Sequence, residues 1–233
     1  MMNPSLARVA LLSAAGLLLV FGAGCSALRQ TAAPPPGFYS LDDARTKTGP
    51  STHSPTGASI DSPTLIINPP HAVSGYDSQR IIYVREAHKL EYFAHSEWVD
   101  TPARMLAPLI VAAVELSGAF RAVVLAPSAA TGELRLDTEI TRLHHDFSGR
   151  PSRVRFTLRA MLVDNRTRRI VASHEFDETV AAPSETPYGG VVAANRAVQT
   201  VLEQLASFCA EALANRLSTG SEVPKLPESI PTR

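Results

Sequence analysis

The sequence predicts an α+β fold, a mostly antiparallel sheet with a three-strand meander covered by two main helices. Three long segments between Leu134 and Asp177 alternate apolar with charged residues, the pattern of strands that bury one face. Residues 188–217 and the stretch after Thr101 instead repeat apolar residues at helical spacing. Because such helices bury their apolar face against a sheet, the two patterns together predict a two-layer domain.

The three alternating segments follow one another directly. "SGRPS" and "DNRTR" separate them and are rich in turn-forming residues. Since short connections join antiparallel neighbours, we expect a meander with one buried face and one face in water. The apolar residues expected on the buried face are Leu134, Leu136, Ile140, Val154, Phe156, Leu158, Ala160, Leu162, Ile170, Ala172 and Phe176.

Shorter elements precede the meander. "FYSLD" predicts a short strand near residues 38–41, and "TLIIN", "RIIYVRE", "KLEYFA" and "FRAVVLA" each predict a further strand. Thr101 and Pro102 are typical of a helix N-cap and first helical position, and Gly118 marks the end of that helix. The longer helix is expected to cover the dry face with Val191, Val198, Val201, Leu202, Leu205, Phe208 and Ala212.

The N-terminus begins with a short hydrophobic segment. Arg8 precedes a run of 13 residues, Val9 to Phe21, that is apolar except for Ser13 and Gly16. A membrane-spanning helix needs about 20 apolar residues, so this run is too short to cross a bilayer. Its size and its charged start are those of a signal-peptide hydrophobic region.

Cys25 follows this segment directly after Gly22, Ala23 and Gly24. Small residues before such a cysteine resemble the lipobox of bacterial lipoproteins, with Gly22 in the position that is usually Leu. The resemblance implies cleavage before Cys25 and acylation of its thiol and new amine, which would hold the chain on a membrane. Ser26 in the next position implies sorting to the outer membrane. An ordinary secretory signal and a retained anchor remain as alternatives.

The distribution of prolines divides the rest of the chain. Eight of the 18 prolines fall between Gln30 and Pro70, and three more follow Leu217. We therefore assign residues 1–24 to a lipoprotein signal peptide and residues 25–62 to a lipid anchor, tether and flexible loop. Residues 63–217 form a single domain, and residues 218–233 a disordered tail.

Charge and cysteine content exclude several classes of site. Without residues 1–24 the chain has 21 basic and 22 acidic residues, which offers no electrostatic footprint for nucleic acid. Cys209 lies on the apolar stripe of the long helix and is expected to be a small core residue without a disulfide partner. Arg153, Arg155 and Arg159 are expected to pair with acidic residues of the neighbouring strands rather than to bind a ligand.

Candidate catalytic and metal-binding residues are few. His144, His145 and Asp146 are adjacent, but neighbouring residues of a strand point to opposite faces. His88 and His95 lack metal-ligand spacing. We therefore expect no catalytic residue, no metal and no cofactor, and hence no enzyme activity. A hydrolase with an unrecognised site and a periplasmic binding protein, each anchored by lipid, remain the alternatives.

The order of segments along the chain resembles the ABC-type transport auxiliary lipoproteins, which include the lipoprotein of the paraquat-inducible Pqi system. The resemblance lies in the lipobox, "FYSL", "IIYVREAHKLEYFAHSEWVDTPARMLAPLI", "SGAF", "LDTEITRLHHDF", "VRFTLRAMLVDNRTRRIVAS" and "GGVVAANRAVQTVLEQLASF". It implies a non-enzymatic accessory of an ABC transporter whose periplasmic partner carries an MCE (mammalian cell entry) domain. Such systems move lipids or related apolar molecules across the cell envelope. The resemblance also implies a position on the inner leaflet of the outer membrane, facing the periplasm. It is compatible with association of several copies of the chain.

One aromatic segment is a candidate surface for the partner. Tyr92, Phe93 and Trp98, the single Trp of the chain, lie close together just before the first helix. Aromatic residues are enriched at protein interfaces. The alternative is that they pack in the core where the strand meets the helix.

Overall fold

The computed structural model describes residues 35–42 and 61–220. Within these two stretches, nine strands form one sheet and two helices lie against it. The strands are β1 (Gly37–Tyr39), β2 (Thr64–Ile67), β3 (His71–Ala72), β4 (Arg80–Val84), β5 (Glu91–Trp98), β6 (Ala122–Leu125), β7 (Leu134–Asp146), β8 (Arg153–Asp164) and β9 (Ile170–Ala181). The helices are α1 (Pro102–Leu116) and α2 (Pro187–Gly220). The predictions for residues 1–24, for most of the tether and loop, and for nearly all of the tail lie outside the described residues.

The meander is confirmed. β7 pairs with β8 and β8 with β9, both antiparallel and nearly along their whole length. A register shift after Ile140 inserts one extra residue into β7, so that Ile140 and Leu143 are both buried. A second shift near Leu162 turns Ile170 out of the core, and its side chain is 61% exposed. The prediction that Ile170 faces the core is therefore wrong.

The other edge of β7 is built differently. Three short strands, β2, β3 and β4, pair with successive parts of it, and all three run parallel to it. β6 extends the sheet beside β2 in parallel. β5 lies antiparallel to β4 and carries β1 in parallel at its outer edge.

The prediction of a mostly antiparallel sheet is thus wrong, because the sheet is mixed and open. Parallel neighbours need a long crossover, and here β5, α1 and β6 intervene between β4 and β7. Alternation in a sequence reports which face of a strand is buried. It does not report the direction of the neighbouring strand.

Both helices pack on one face of the sheet, as predicted. α2 lies against β8 and β9, and α1 lies against β6 and α2. Leu106 and Ile110 of α1 and Leu205 of α2 are fully buried, as is Phe156 of β8. An ion pair between Arg216 and Asp164 holds the end of α2 near the end of β8.

The ends of α1 follow the sequence. Thr101 is its N-cap and has extended backbone angles, and Pro102 comes first in the helix. Proline suits that position because its missing N–H would have no partner inside the helix. Gly118 has φ +64° directly after the helix, a conformation that glycine adopts without steric cost.

Candidate functional site

The aromatic segment of β5 does not form one surface. Trp98 is 3% exposed and belongs to the core, whereas Tyr92 is 51% exposed. Phe93 is half-buried, and its ring centroid lies 4.6 Å from that of Tyr83. A register shift between β4 and β5 separates Tyr92 from Trp98. The structure therefore leaves Tyr92 as the exposed aromatic of this segment, and binding of a partner by these residues stays a prediction.

Tyr92 instead joins a different set of exposed residues. Phe38 of β1 and Arg80 of β4 both lie opposite Glu97 of β5, so the three side chains share one face of the sheet. The Arg80 guanidinium lies 4.3 Å from the centre of the Tyr92 ring, which places Tyr92 on the same face. Val99 follows the last residue of β5, and its backbone N–H donates to the Tyr39 carbonyl at 2.8 Å, which places this exposed residue beside β1. We call these five residues the β1–β5 corner.

The β1–β5 corner lies on the face away from the helices, because Trp98, the neighbour of Glu97, points into the core. Phe38 is 61% and Val99 51% exposed. Sequence reasoning did not identify Phe38 or Val99 as surface residues. The alternation of β1 and of the end of β5 around buried Trp98 was the signal that could have found them.

The two adjacent histidines point to opposite faces of β7, as predicted. His144 lies on the face away from the helices, where its Nδ1 is 3.0 Å from the Tyr76 hydroxyl. His145 is 2% exposed, and its Nε2 lies 2.7 Å from Oγ of Ser152. Burial lowers the pKa of both imidazoles below the ordinary value, which favours their neutral forms.

Ser152 and His145 have the distance of a nucleophile and its base, but they are closed off from solvent. Ser152 is fully buried, and its backbone N–H donates to Glu185 Oε1 at 3.0 Å. α2 closes the other side, since a Cβ on Gly190 would come within 2.5 Å of His145 Nδ1. The contact therefore joins β7, the turn before β8 and the start of α2. The sequence pattern did not identify Ser152 or Glu185 as candidate site residues, because Ser152 belongs to a segment that is typical of a turn.

Arg155 and Arg159 of β8 pair with acidic side chains across the strands, as predicted, whereas Arg153 has no such ion pair within residues 35–42 and 61–220. Arg155 donates to both carboxylate oxygens of Asp177, at 2.8 and 2.5 Å. Arg159 reaches Glu139 on one side and Glu175 on the other, each at 3.2 Å. The hydrogen bond from Arg155 holds the pKa of Asp177 down at about 2, so the carboxylate stays charged.

An apolar groove lies between the two helices and was not predicted. It has a volume of about 360 Å³. Leu109, Ala113 and Leu116 of α1 line one wall, and the other wall and the rim are formed by Val198, Leu202, Ala206, Ala210, Gln199, Glu203, Ser207, Ser117 and Asp42. The sequence shows small residues on both helices, but it does not show that the helices lie side by side.

The remaining candidate residues are spread apart or buried. His88 and His95 are exposed, and within residues 35–42 and 61–220 no group of three or more His, Cys, Asp or Glu side chains is placed to hold a metal. Cys209 is fully buried, and burial raises the pKa of its thiol to about 12, as expected for a core residue. Neither helix of the described part is both long enough and apolar enough to cross a membrane. Cys25 lies outside the described residues, so its lipidation stays a prediction.

Comparison with known proteins gives a family and a fold. Residues 39–206 match the model of the ABC-type transport auxiliary lipoprotein component family. A crystal structure of protein XCC0632 from Xanthomonas campestris is 22% identical, with a TM-score of 0.61, and the match covers 70% of this chain and 94% of that one. The crystal structure of an uncharacterised protein is 12% identical, with a TM-score of 0.54, and covers 76% and 97%. At these identities the likeness concerns the fold alone. No curated protein matches.

Proposed function

This chain belongs to the ABC-type transport auxiliary lipoprotein family, and from that membership we propose that it is a non-enzymatic, outer-membrane-anchored accessory of an ABC transporter. The observation that carries the proposal is the extent of the match. Residues 39–206 run from the end of β1 into α2, so the family pattern includes both edges of the sheet and both helices.

The proposed anchor is Cys25. The hydrophobic run before it has the length of a signal peptide, and three small residues precede the cysteine. Acylation of both the thiol and the amine would supply several chains, and stable anchoring needs more than one. Ser26 supports the outer membrane as the destination, so that the domain would face the periplasm.

The proposed role is to receive or position material at the end of a periplasmic conduit. The partner would be the MCE-domain component of the transporter, and the cargo lipids or other apolar molecules. The protein would contribute binding and position rather than catalysis. The enclosure of the Ser152–His145 pair by α2 supports this, because a nucleophile needs access to its substrate.

Intact-mass measurement of protein extracted from membranes tests the anchor. We expect a chain that begins at residue 25 and carries the added mass of acyl groups. Cys25→Ala should leave the domain folded and release it from the membrane fraction. An unmodified soluble product cut at another position would overturn the anchor.

Co-purification tests the role. The lipidated protein should capture the MCE-domain component encoded with the same transporter from detergent extracts. Deletion of this protein should slow the movement of labelled phospholipid between the inner and outer membranes. Unchanged phospholipid movement and no capture would contradict the transport role while leaving the anchor intact.

A second candidate function is the binding of a small apolar ligand, and the groove between α1 and α2 is the observation that favours it. Its volume falls within the range of small-molecule sites, about 300–1,000 Å³, and leucine, valine and alanine side chains line it. Ala113→Phe should fill it. An increase in melting temperature with fatty acid that this variant loses would support ligand binding, whereas an equal shift in both proteins would exclude the groove.

A further inference from the structure

We propose that the β1–β5 corner is a membrane-docking surface, which holds the domain against the lipid headgroups beside its own anchor. The inference rests on the proposed acylation of Cys25. It adds a second, non-covalent contact made by Phe38, Tyr92 and Val99, with Arg80 beside them.

Four of the five corner residues suit a membrane interface, whereas Glu97, half-buried between Phe38 and Arg80, is acidic. Phe38 and Val99 offer apolar side chains that are more than half exposed. Tyr92 combines an apolar ring with a hydroxyl, and such side chains are enriched where a protein meets the headgroup region. Arg80 lies over that ring at 4.3 Å, so its guanidinium can reach phosphate while its stem stays on apolar surface.

The same face of the sheet is built differently in the meander. There Arg155 and Arg159 are paired with the carboxylates of Asp177, Glu139 and Glu175. Such a charged surface is well solvated by water. Three exposed apolar side chains instead lie together at the outer edge around β1, whereas the exposed Ile170 of β9 stands apart from them at the other end of the sheet.

The position of the corner in the chain indicates the membrane as its partner. Gly37, the first residue of β1, follows Cys25 by 12 residues. Whatever its conformation, a chain of that length spans at most about 40 Å. Phe38 is therefore among the first residues of the domain after the anchor, and its corner can reach the bilayer. A contact of a few side chains gives modest but measurable partitioning by itself, and an anchor strengthens it by holding the corner near the surface.

The test uses the chain from residue 25 with Cys25→Ala, so that binding depends on the corner alone. The probe is vesicles of phosphatidylcholine and phosphatidylglycerol in equal amounts, and the measurement is the bound fraction in a flotation assay. We expect measurable partitioning that falls roughly tenfold in Phe38→Ser/Tyr92→Ser, because two apolar side chains no longer enter the interface. Arg80→Gln should lower it by a smaller factor.

A matched control separates position from hydrophobicity. Ile170 and Leu116 are 61% and 54% exposed, close to the values of Phe38 and Tyr92, but they lie on β9 and α1. Ile170→Ser/Leu116→Ser should leave partitioning within about twofold of the parent protein. Thermal melting of all variants reports folding.

The proposal is overturned if the parent protein does not bind the vesicles, or if both double variants lose binding equally. It is also overturned if Phe38→Ser/Tyr92→Ser binds vesicles as well as the parent but no longer captures the MCE-domain protein. The last result would assign the corner to a protein partner. The anchor is tested by the mass of Cys25, so it can fail or hold independently of the corner.

Discussion

The two edges of β7 show two ways of building one sheet. On one edge, β8 and β9 follow directly in the chain and pair antiparallel over nearly their full length. On the other edge, β2, β3 and β4 each cover a short part of β7, and all run parallel to it. The first edge depends on local contacts, whereas the second depends on chain segments that are distant in sequence.

The surfaces of the two parts differ as well. The meander covers its water-facing side with cross-strand ion pairs. The β1–β5 corner exposes Phe38 and Tyr92 on the same side, and Val99 at the end of β5. The regular part thus supplies a stable support, and the irregular part carries the surface that we propose to be functional.

The largest expected loss of stability comes from removing one core aromatic side chain on each side of β7. Phe156 in the meander is fully buried and Trp98 beside the corner is 3% exposed. Phe156→Ala and Trp98→Ala should each lower the free energy of unfolding by about 3–5 kcal/mol, because each leaves a large cavity. Denaturant unfolding measures both values.

This pair of variants tests whether the two edges of β7 unfold together. If the two edges share one core, both variants unfold in a single transition with the same dependence on denaturant as the parent. A second, earlier transition in Trp98→Ala would show instead that the β1–β5 region melts independently of the meander.

A smaller effect is expected where α2 meets β7. Gly190→Ala places a methyl group against the His145 ring and should cost about 1–3 kcal/mol of stability through overpacking. Gly149 is the matched control, because a Cβ there meets nothing within 4 Å. Gly149→Ala should change stability by less than about 0.5 kcal/mol. Equal melting temperatures for the two variants would contradict the close approach of Gly190.

The buried imidazole of His145 predicts a dependence of stability on pH. Burial lowers its pKa in the folded state, so below the ordinary value of 6.5 the unfolded chain binds a proton that the folded chain does not. Its contribution is therefore complete above pH 6.5 and is lost as pH falls toward the lowered pKa. The slope is at most about 1.4 kcal/mol per pH unit.

The other groups that act on His145 are Glu185, Asp146 and His144. His145→Gln should flatten the stability curve between pH 7 and pH 5, and urea unfolding across this range measures it. His144→Gln should flatten the curve in part, because burial also lowers the pKa of His144. His95→Gln is the control, because the His95 side chain is exposed. A slope in His145→Gln equal to that of the parent would assign the pH dependence elsewhere.

The smallest effect is expected on the charged face of the meander. Arg155→Gln/Arg159→Gln removes exposed ion pairs that are worth about 0.2–1 kcal/mol each, and the loss should shrink further in high salt. Thermal melting at two salt concentrations measures it. Intact stability combined with lost capture of the transporter component would show that this face binds a partner, and would reverse the division between support and functional surface.

The local sequence pattern was enough to predict the meander, the two helices and which face of each is buried. Alternation in β8 places Phe156 and Leu158 inside and the arginines outside, because burying a charge without a partner is costly. It also predicted that His144 and His145 face opposite ways, since side chains alternate along any strand. Opposite charges on adjacent strands then predicted the pairs of Arg155 and Arg159.

Tertiary structure alone decided the direction of the strands and the composition of the sites. Parallel pairing depends on the path of the chain between β4 and β7, and no local residue records that path. Register shifts turned Ile170 outward and separated Tyr92 from Trp98. Phe38 joined Tyr92, and Ser152 joined His145, because strand pairing and turns bring distant residues together. The sequence by itself determined which side chains avoid water, whereas the fold determined which of them meet.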